Sequence, residues 1–319
     1  MTLIALASIK GSPGVSTAAT AIAASWPAGR RVLLVEADPF GGDLAPRYGV
    51  TVTGGLASLF AAARRTLTTG AVWDHVHELP GGLPVLFGLT GVHQAVANEK
   101  AWPVIAKALA GLDADVVVDV GRLLPHLAGG VRDVLDQADA LVVLCDPTLE
   151  AIVHLRDALP GLLAVMRDRR LLVLPTGSSG YSPADIEKAL QIAVGPTMPD
   201  DPAAAAALGN KHSVKKLERT RLLKWASVVI AELGIDAELG IEEVPMVGHA
   251  DTDTAAATTQ ETATQESATQ ETAPVEPVVA VPVVDELWPE DADSRARPLD
   301  PFADEAEPVG VGSKWEAGR

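Results

Sequence analysis

Short, continuously apolar runs alternate with helix-length segments through the first 235 residues, and this alternation most limits the folds open to the chain. The runs are rich in Val, Leu and Ile, which is typical of strands buried on both faces of a parallel sheet. We predict strands at 3–9, 31–36, 83–89, 115–119, 140–145 and 171–174. We predict helices at 14–26, 55–65, 101–112, 131–137, 149–166 and 183–192. The pattern predicts an α/β fold with a doubly wound, mostly parallel sheet.

The segment 236–319 differs in composition from the rest and carries nearly all of the net charge of −17. Twenty acidic and four basic residues lie from Asp236 onward, which leaves residues 1–235 close to neutral. Three tandem copies of Thr-Gln-Glu-[Thr/Ser]-Ala occupy 259–273. This composition buries too little apolar surface to offset chain entropy, so we predict a disordered acidic tail after a folded domain at 1–235. The overall acidity therefore says nothing about whether that domain contacts DNA.

Three isolated large apolar residues, Trp288, Phe302 and Trp315, stand among the charged residues of the tail. Such residues occur in peptides that dock on a partner protein, and they also fit a tail that makes no selected contact. Both interpretations stay open at this point.

The single cysteine, Cys145, lies in an apolar run and cannot form a disulfide within the chain, so we predict a buried structural thiol. No apolar run reaches the roughly 18 residues that cross a bilayer. The first residues lack the basic start of a signal peptide. We expect a cytoplasmic protein, which a partner could hold at a cell pole or near the membrane.

A glycine-containing loop at residues 10–17 follows the first predicted strand and leads into an Ala-rich helix. Backbone N–H groups at such a turn and at the helix start converge on an anion. Glycines let the backbone approach it closely, and a Ser hydroxyl at the helix start is placed to hold Mg²⁺. The candidate binding residues are Lys10, Gly11, Ser12, Pro13, Gly14, Val15, Ser16 and Thr17.

The loop resembles the deviant Walker A box of the ParA/MinD/CpaE family of P-loop ATPases, Lys-Gly-Gly-x-Gly-Lys-[Ser/Thr]. Lys10 matches the signature lysine, which in the nucleotide-sandwiched dimers of that family reaches the partner's phosphates. Ser12 replaces the second glycine, and Val15 occupies the position of the internal lysine. The resemblance implies a SIMIBI-type P-loop NTPase fold, ATP and Mg²⁺ as cofactors, and a homodimer.

Two further segments are similar to that family. Residues 35–43, Val-Glu-Ala-Asp-Pro-Phe-Gly-Gly-Asp, resemble its switch I, which implies that Asp38 positions the attacking water; Glu36 stands where the family often has Asp. Residues 116–121 resemble its Walker B strand, which implies that Asp119 supports Mg²⁺ through water. The candidate metal set is therefore Ser16, Asp119 and Asp38, by direct contact or through water.

The nucleotide base is less well specified. The turn that begins at Pro199 resembles the family's late strand-to-helix segment beside the base. The family commonly places an adenine-binding Asn after its penultimate strand, and this chain has Leu-Pro-Thr-Gly at 174–177. Base specificity therefore stays open. Simpler roles also stay open elsewhere: Lys10 as a solvated lysine, Asp38 as a turn former and Asp119 as a strand-end cap.

Val15 removes a cation from the loop and points an apolar group at it. Loss of one preorganised transition-state donor commonly costs about 10²–10³ in rate. We therefore expect weak or absent ATP hydrolysis, with residual nucleotide binding through backbone amides, Ser16 and Mg²⁺. An empty loop kept only as part of the fold is the alternative.

A last helix is predicted at 213–233, with a basic cluster in its first half: Lys215, Lys216, Arg219, Arg221 and Lys224. The cluster is either the solvated face of a helix packed on the sheet or a surface for DNA or anionic lipid. Of the last two, DNA is favoured because the segment has few large apolar residues for insertion into lipid.

Three functions follow for testing. The first is a ParA/MinD-like spatial organiser with a degenerate nucleotide site that localises a partner, as CpaE/TadZ-like proteins do for Tad pilus machinery. The second is an active partition-type ATPase that binds DNA. The third is a nucleotide-free interaction scaffold that recruits partners through the tail.

Overall fold

The computed structural model describes residues 1–10, 13–79, 81–123, 130–209 and 218–235. All of these residues belong to one unit of the chain, Met1–Val244. The segment 236–319 lies outside the described residues, so its disorder and its docking peptide stay predictions.

The described strands are β1 (Leu3–Ser8), β2 (Val32–Glu36), β3 (His77–Glu78), β4 (Pro84–Leu86), β5 (Asp115–Arg122), β6 (Ala140–Cys145) and β7 (Arg170–Pro175). They form one sheet in the order β3-β4-β2-β5-β1-β6-β7. Every neighbouring pair is parallel except β3 with β4 at one edge. The predicted doubly wound, mostly parallel sheet is confirmed.

Helices cover both faces of this sheet. They are α1 (Val15–Ala24), α2 (Leu44–Tyr48), α3 (Gly55–Ala63), α4 (Val92–Asn98), α5 (Trp102–Ala110), α6 (Val131–Gln137), α7 (Leu149–Met166), α8 (Pro183–Leu190), α9 (Pro202–Gly209) and α10 (Arg221–Glu232). Alternate residues of β1 enter two separate apolar clusters, as the pleat of a strand requires. Ala5 packs in the cluster that contains residues of α3, α5, α6 and α7, and Leu6 packs in the cluster that contains α1 and α10.

The predicted helix at 213–233 begins too early. Residues 210–217, which include Lys215 and Lys216, lie outside the described residues. The described helix α10 begins at Arg221, and the Thr220 hydroxyl caps it by accepting the Leu223 N–H at 3.4 Å. A Thr side chain bonded to this N–H marks a helix start, which the apolar spacing alone did not reveal.

The predicted strand at 83–89 is also too long, because β4 ends at Leu86. Beyond it, the Gly88 N–H donates to the Glu36 carboxylate, and the Leu89 carbonyl accepts the Gly42 N–H. These residues thus bond to the loop after β2 instead of continuing the ladder.

Cys145 is buried at the end of β6, as predicted, and burial together with the charge of Asp146 raises the pKa of its thiol to about 11. None of the described helices is both long and apolar enough to cross a bilayer.

A buried ion pair ties together the amino ends of the central strands. Asp115, the first residue of β5, is fully buried and accepts bonds from Arg30 Nε and Nη2 at 2.7 Å and from Trp26 Nε1 at 2.8 Å. It also accepts the Thr2 N–H at 2.7 Å. Burial raises the pKa of Asp115, but these donors outweigh it and hold the pKa below its ordinary value.

Asp115→Asn should lower the free energy of unfolding by about 3 kcal/mol, because it leaves the Arg30 guanidinium without its buried counter-charge. Urea unfolding at pH 7 measures this. The control is Asp136→Asn, which breaks the exposed pair between Arg132 and Asp136 and should cost less than about 0.5 kcal/mol. Equal costs for the two variants would contradict the role of Asp115.

Candidate functional site

The loop between β1 and α1 presents the start of a helix to solvent. Gly14 precedes α1 with a φ of +89°, a conformation that favours glycine, and no side chain caps the helix. The Ala18 N–H donates to the Gly14 carbonyl at 2.8 Å. The N–H groups of Val15, Ser16 and Thr17 have no acceptor within the helix, because the first turn of any α-helix lacks one. These groups make the end of α1 a site for an anion.

Asp119 lies beneath this helix start. It occupies β5 beside β1, is 2% exposed and accepts the Gly121 N–H at 2.9 Å. Burial raises its pKa, and the nearby Asp43 charge adds to the rise; a hydrogen bond from the Ser16 hydroxyl and the charge of Arg47 oppose it. The predicted pair of Ser16 and Asp119 is thus brought together.

Asp38 follows β2 and lies in the same pocket lining as Gly14 and Ser16. Its carboxylate accepts the Phe40 N–H at 2.7 Å and lies against Gly121, whose φ is +67°. A Cβ at Gly121 would collide with this carboxylate, so glycine is required there. Burial raises the pKa of Asp38 to about 6, and the charges of Asp119 and Asp43 add to the rise, while the Phe40 bond opposes it.

These groups border a pocket of about 380 Å³. It is lined by Ser8, Gly14, Val15, Ser16, Asp38, Phe40, Asp43, Arg47, Gly121 and Arg122. Lys10 is exposed and does not line it, and Gly11 and Ser12 lie outside the described residues. The structure therefore gathers Gly14, Val15, Ser16 and Asp38 around one pocket with Asp119 below them.

Val15, at the position of the internal lysine, lines the pocket, although it is only 6% exposed and packs in the cluster with Ile4 and Leu6. The apolar group predicted at this position thus borders the pocket from its core side. It supplies no charge to the pocket.

Two arginines that sequence reasoning missed, Arg47 and Arg122, line the pocket instead. Arg47 lies four residues after Asp43, and Arg122 lies three residues after Asp119. The proximity of Arg122 to the candidate Asp119, and of Arg47 to the end of the segment 35–43, was the available signal, but only the folded structure shows both side chains at one pocket.

A second pocket, of about 320 Å³, lies on the other side of the loop. It is lined by Pro13, Thr17, Thr176, Gly177, Met198, Pro199, Asp200, Asp201, Pro202, Ala205 and Leu222. The Gly177 N–H donates to the Met198 carbonyl at 3.0 Å, which joins the segment after β7 to the one before α9. Pro199 is thus brought beside Pro13 and Thr17.

A third pocket, of about 420 Å³, lies at the amino ends of the strands, where Arg30, Arg31 and Pro84 line it. None of the predicted site residues lines this pocket. This pocket lies at the opposite ends of the strands from Asp38 and Asp119, so it is separate from the candidate nucleotide site.

The basic cluster near α10 is described only in part. Arg219, Arg221 and Lys224 are exposed. Arg221 donates from Nη2 to the carbonyl of Asp200, a residue that lines the second pocket, at 2.7 Å.

Glu36, the last residue of β2, is buried and holds the loop that carries Asp38 and Asp43. Its Oε1 accepts the Leu44 N–H at 2.8 Å, and its Oε2 accepts the Gly88 N–H at 3.0 Å. Burial raises the pKa of Glu36 to about 7, and the charge of Asp119 adds to the rise, although the N–H donors oppose it. A Cβ at Gly42 would lie 2.6 Å from Oε2, so the loop passes too close for any other residue.

The fold matches solved structures of known ATPases. A ParA family ATPase from Chlorobium tepidum TLS matches with a TM-score of 0.58 and 21% identity over 72% of this chain and 97% of that one. MinD from Pyrococcus horikoshii OT3, in complex with Mg-ADP, matches with a TM-score of 0.59 and 17% identity over 75% and 99%. A McdA variant from Cyanothece in complex with ATP matches with a TM-score of 0.56 and 17% identity over 74% and 97%.

No protein-family model matches the chain, and no curated protein matches it. At these sequence identities, the solved structures establish a ParA/MinD-type fold and do not establish the activity of this chain.

Glu36→Gln should reduce the pH dependence of stability. The pKa of Glu36 is higher in the folded chain than its ordinary 4.5, so the folded state gains stability from the bound proton at low pH and loses it as pH rises through 7. Between pH 5 and pH 8 the wild type should lose about 2 kcal/mol more unfolding free energy than Glu36→Gln.

Urea unfolding at the two pH values measures this difference. Asp38→Asn is the comparison variant, and it should remove a smaller part of the dependence because the pKa of Asp38 is raised only to about 6. Parallel pH curves for the wild type and Glu36→Gln would contradict the assignment.

Proposed function

We propose that this chain is a ParA/MinD-like spatial organiser that binds Mg·ATP, hydrolyses it weakly or not at all, and positions a partner such as Tad pilus or secretion machinery. The observation that carries the proposal is the uncapped start of α1, which opens onto a pocket bordered by Ser16 and Asp38. The shared fold with ParA, MinD and McdA supports an organising role by analogy.

The residues at the pocket fit a magnesium nucleotide. The N–H groups that begin α1 suit phosphate oxygens, and the hydroxyl of Ser16 with the carboxylate of Asp119 suits Mg²⁺, which prefers oxygen ligands. Among the described residues, no group of three or more metal-binding side chains is present, so phosphates and water would complete the coordination. Mg²⁺ held by Ser16 and Asp119 would supply positive charge that offsets part of the charge of the phosphates.

The second pocket fits the nucleoside. It shares the loop with the first pocket, since Pro13 and Thr17 line one while Gly14 and Ser16 line the other. A nucleotide with its phosphates at the start of α1 therefore reaches this pocket with its base, beside Pro199.

Weak hydrolysis is expected because the loop lacks the positive charge of the internal lysine. Val15 is packed in the core and supplies no cation to a transferred phosphoryl group. A preorganised donor removed from such a site commonly costs about 10²–10³ in rate. Nucleotide binding would then act as a switch for assembly. Lys10 would reach the phosphates of a second subunit, which its exposure supports, and the tail would recruit the partner.

Ser16→Ala should abolish most of the Mg²⁺ dependence of ATP binding and weaken binding in Mg²⁺ by about tenfold, because it removes an oxygen ligand of the metal. Titration of a fluorescent ATP analogue with and without Mg²⁺ measures this. Ser227→Ala, which removes a hydroxyl bonded to the Leu223 carbonyl on α10, is the control and should bind as the wild type does. A wild type that binds no nucleotide at all would favour the scaffold function instead.

Asp38→Ala should change the ATP turnover of the full chain little, since turnover is already limited by the missing loop cation. Steady-state release of phosphate measures the rate for the wild type and the variant. A fall of about 100-fold in the variant, the size expected for a lost general base, would identify an active partition-type ATPase and overturn the weak-hydrolysis proposal.

A further inference from the structure

The phosphate pocket combines an anion-binding helix start with three nearby carboxylates. Asp38 and Asp43 line it, Asp119 lies beneath it, and Val15 supplies no charge. A triphosphate placed there would meet these carboxylates, and the residues of the β1–α1 loop that line the pocket supply no cation to oppose them. Binding through this pocket therefore depends on the cationic side chains that line it from other elements.

Arg47 provides one of them. Its Nη1 lies 3.5 Å from Thr17 Oγ1 in the first turn of α1, and its Nη2 lies 3.3 Å from Asp43 Oδ2. The Arg47 side chain is 42% exposed, so its charge is open to a ligand in the pocket that it lines.

The backbone that carries Arg47 is held firmly. Leu44 and Tyr48, on either side of it in α2, are buried in the core, and the Leu44 N–H donates to the buried Glu36 carboxylate. The backbone position of Arg47 is thus set by the same Glu36 carboxylate that holds the loop of Asp38.

Arg122 provides a second cation at the other end of the loop. It ends β5, where it pairs with Ser8, and its Nε donates to the Ile9 carbonyl at 3.3 Å. One arginine therefore stands beside the end of β1, and the other stands beside the start of α1.

We propose that Arg47, assisted by Arg122, takes over the binding of the nucleotide's phosphates from the missing loop lysine, within the same subunit, and does not restore the lysine's part in hydrolysis. The inference rests on the proposed nucleotide binding and names the residues that make it possible. A guanidinium donates two parallel N–H bonds to a phosphate, which a lysine cannot do. The Arg47–Asp43 pair is half exposed and weak, so a phosphate can replace Asp43 as its partner.

Calorimetric titration with Mg·ATP and with adenosine tests this on the full chain. Arg47→Ala should weaken ATP binding by about 10- to 100-fold, the range for a lost charge-assisted contact, and leave adenosine binding unchanged. Arg47→Lys should fall between the wild type and Arg47→Ala, because it keeps the charge and loses the fork. Arg122→Ala should weaken ATP binding by a smaller factor.

The matched control is Arg132→Ala, which removes another helical arginine paired with an aspartate four residues away, and it should bind ATP as the wild type does. Asp43→Asn separates ligand binding from a structural role of the pair. If Arg47 binds phosphate, Asp43→Asn should tighten ATP binding, because it frees the guanidinium and removes a negative charge. If Asp43→Asn weakens binding as much as Arg47→Ala does, the pair is a structural bracket and the inference is wrong.

The titrations distinguish loss of the Arg47 role from loss of nucleotide binding altogether. A wild type that binds ATP with the same affinity as Arg47→Ala overturns the role of Arg47 and leaves the proposed function standing. A wild type that binds no ATP overturns both. Thermal unfolding of each variant checks that the chain stays folded, and Arg47→Gln replaces Arg47→Ala if the latter unfolds.

Discussion

The buried carboxylate of Glu36 is the contact on which the rest of the site depends. By accepting the N–H groups of Leu44 and Gly88, it joins the end of β2 to the start of α2 and to the segment after β4. The chain between these points carries Asp38 and Asp43, and α2 carries Arg47. One buried group thus places three charged side chains against the start of α1, at the cost of a carboxyl whose pKa is raised to about 7.

The positive side chains of the site come from elements outside the loop, although the loop itself has the backbone of an anion site. The loop retains the left-handed Gly14 and the uncapped helix, but Val15 has joined the core, where β-branched side chains pack well against a strand. Positive charge then comes from a helix and a strand end outside the loop, at Arg47 and Arg122. Under the proposed function, such a site would hold a nucleotide and hydrolyse it slowly or not at all.

The continuous apolar runs were enough to predict the sheet, because strands buried on both faces must be apolar throughout. They could not predict the ends of β4 or α10, where a side chain or a loop takes the backbone bonds: Gly88 bonds to Glu36, and Thr220 caps α10. The motif at 10–17 indicated an anion site, and Asp38 and Asp119 were identified because their segments resemble the switch I and Walker B segments of the ParA/MinD family. The role of Arg47 at the pocket could not be predicted, because no spacing rule links this residue to the loop. Only tertiary packing brings it near Thr17.

A crystal structure of the full chain with Mg²⁺ and a non-hydrolysable ATP analogue tests the central claim most directly. We expect the triphosphate at the start of α1, with Mg²⁺ on the Ser16 hydroxyl, a guanidinium of Arg47 on a phosphate oxygen, and the base beside Pro199. Density for the analogue in the pocket beside Arg30, or an empty loop at saturating analogue, would contradict this account.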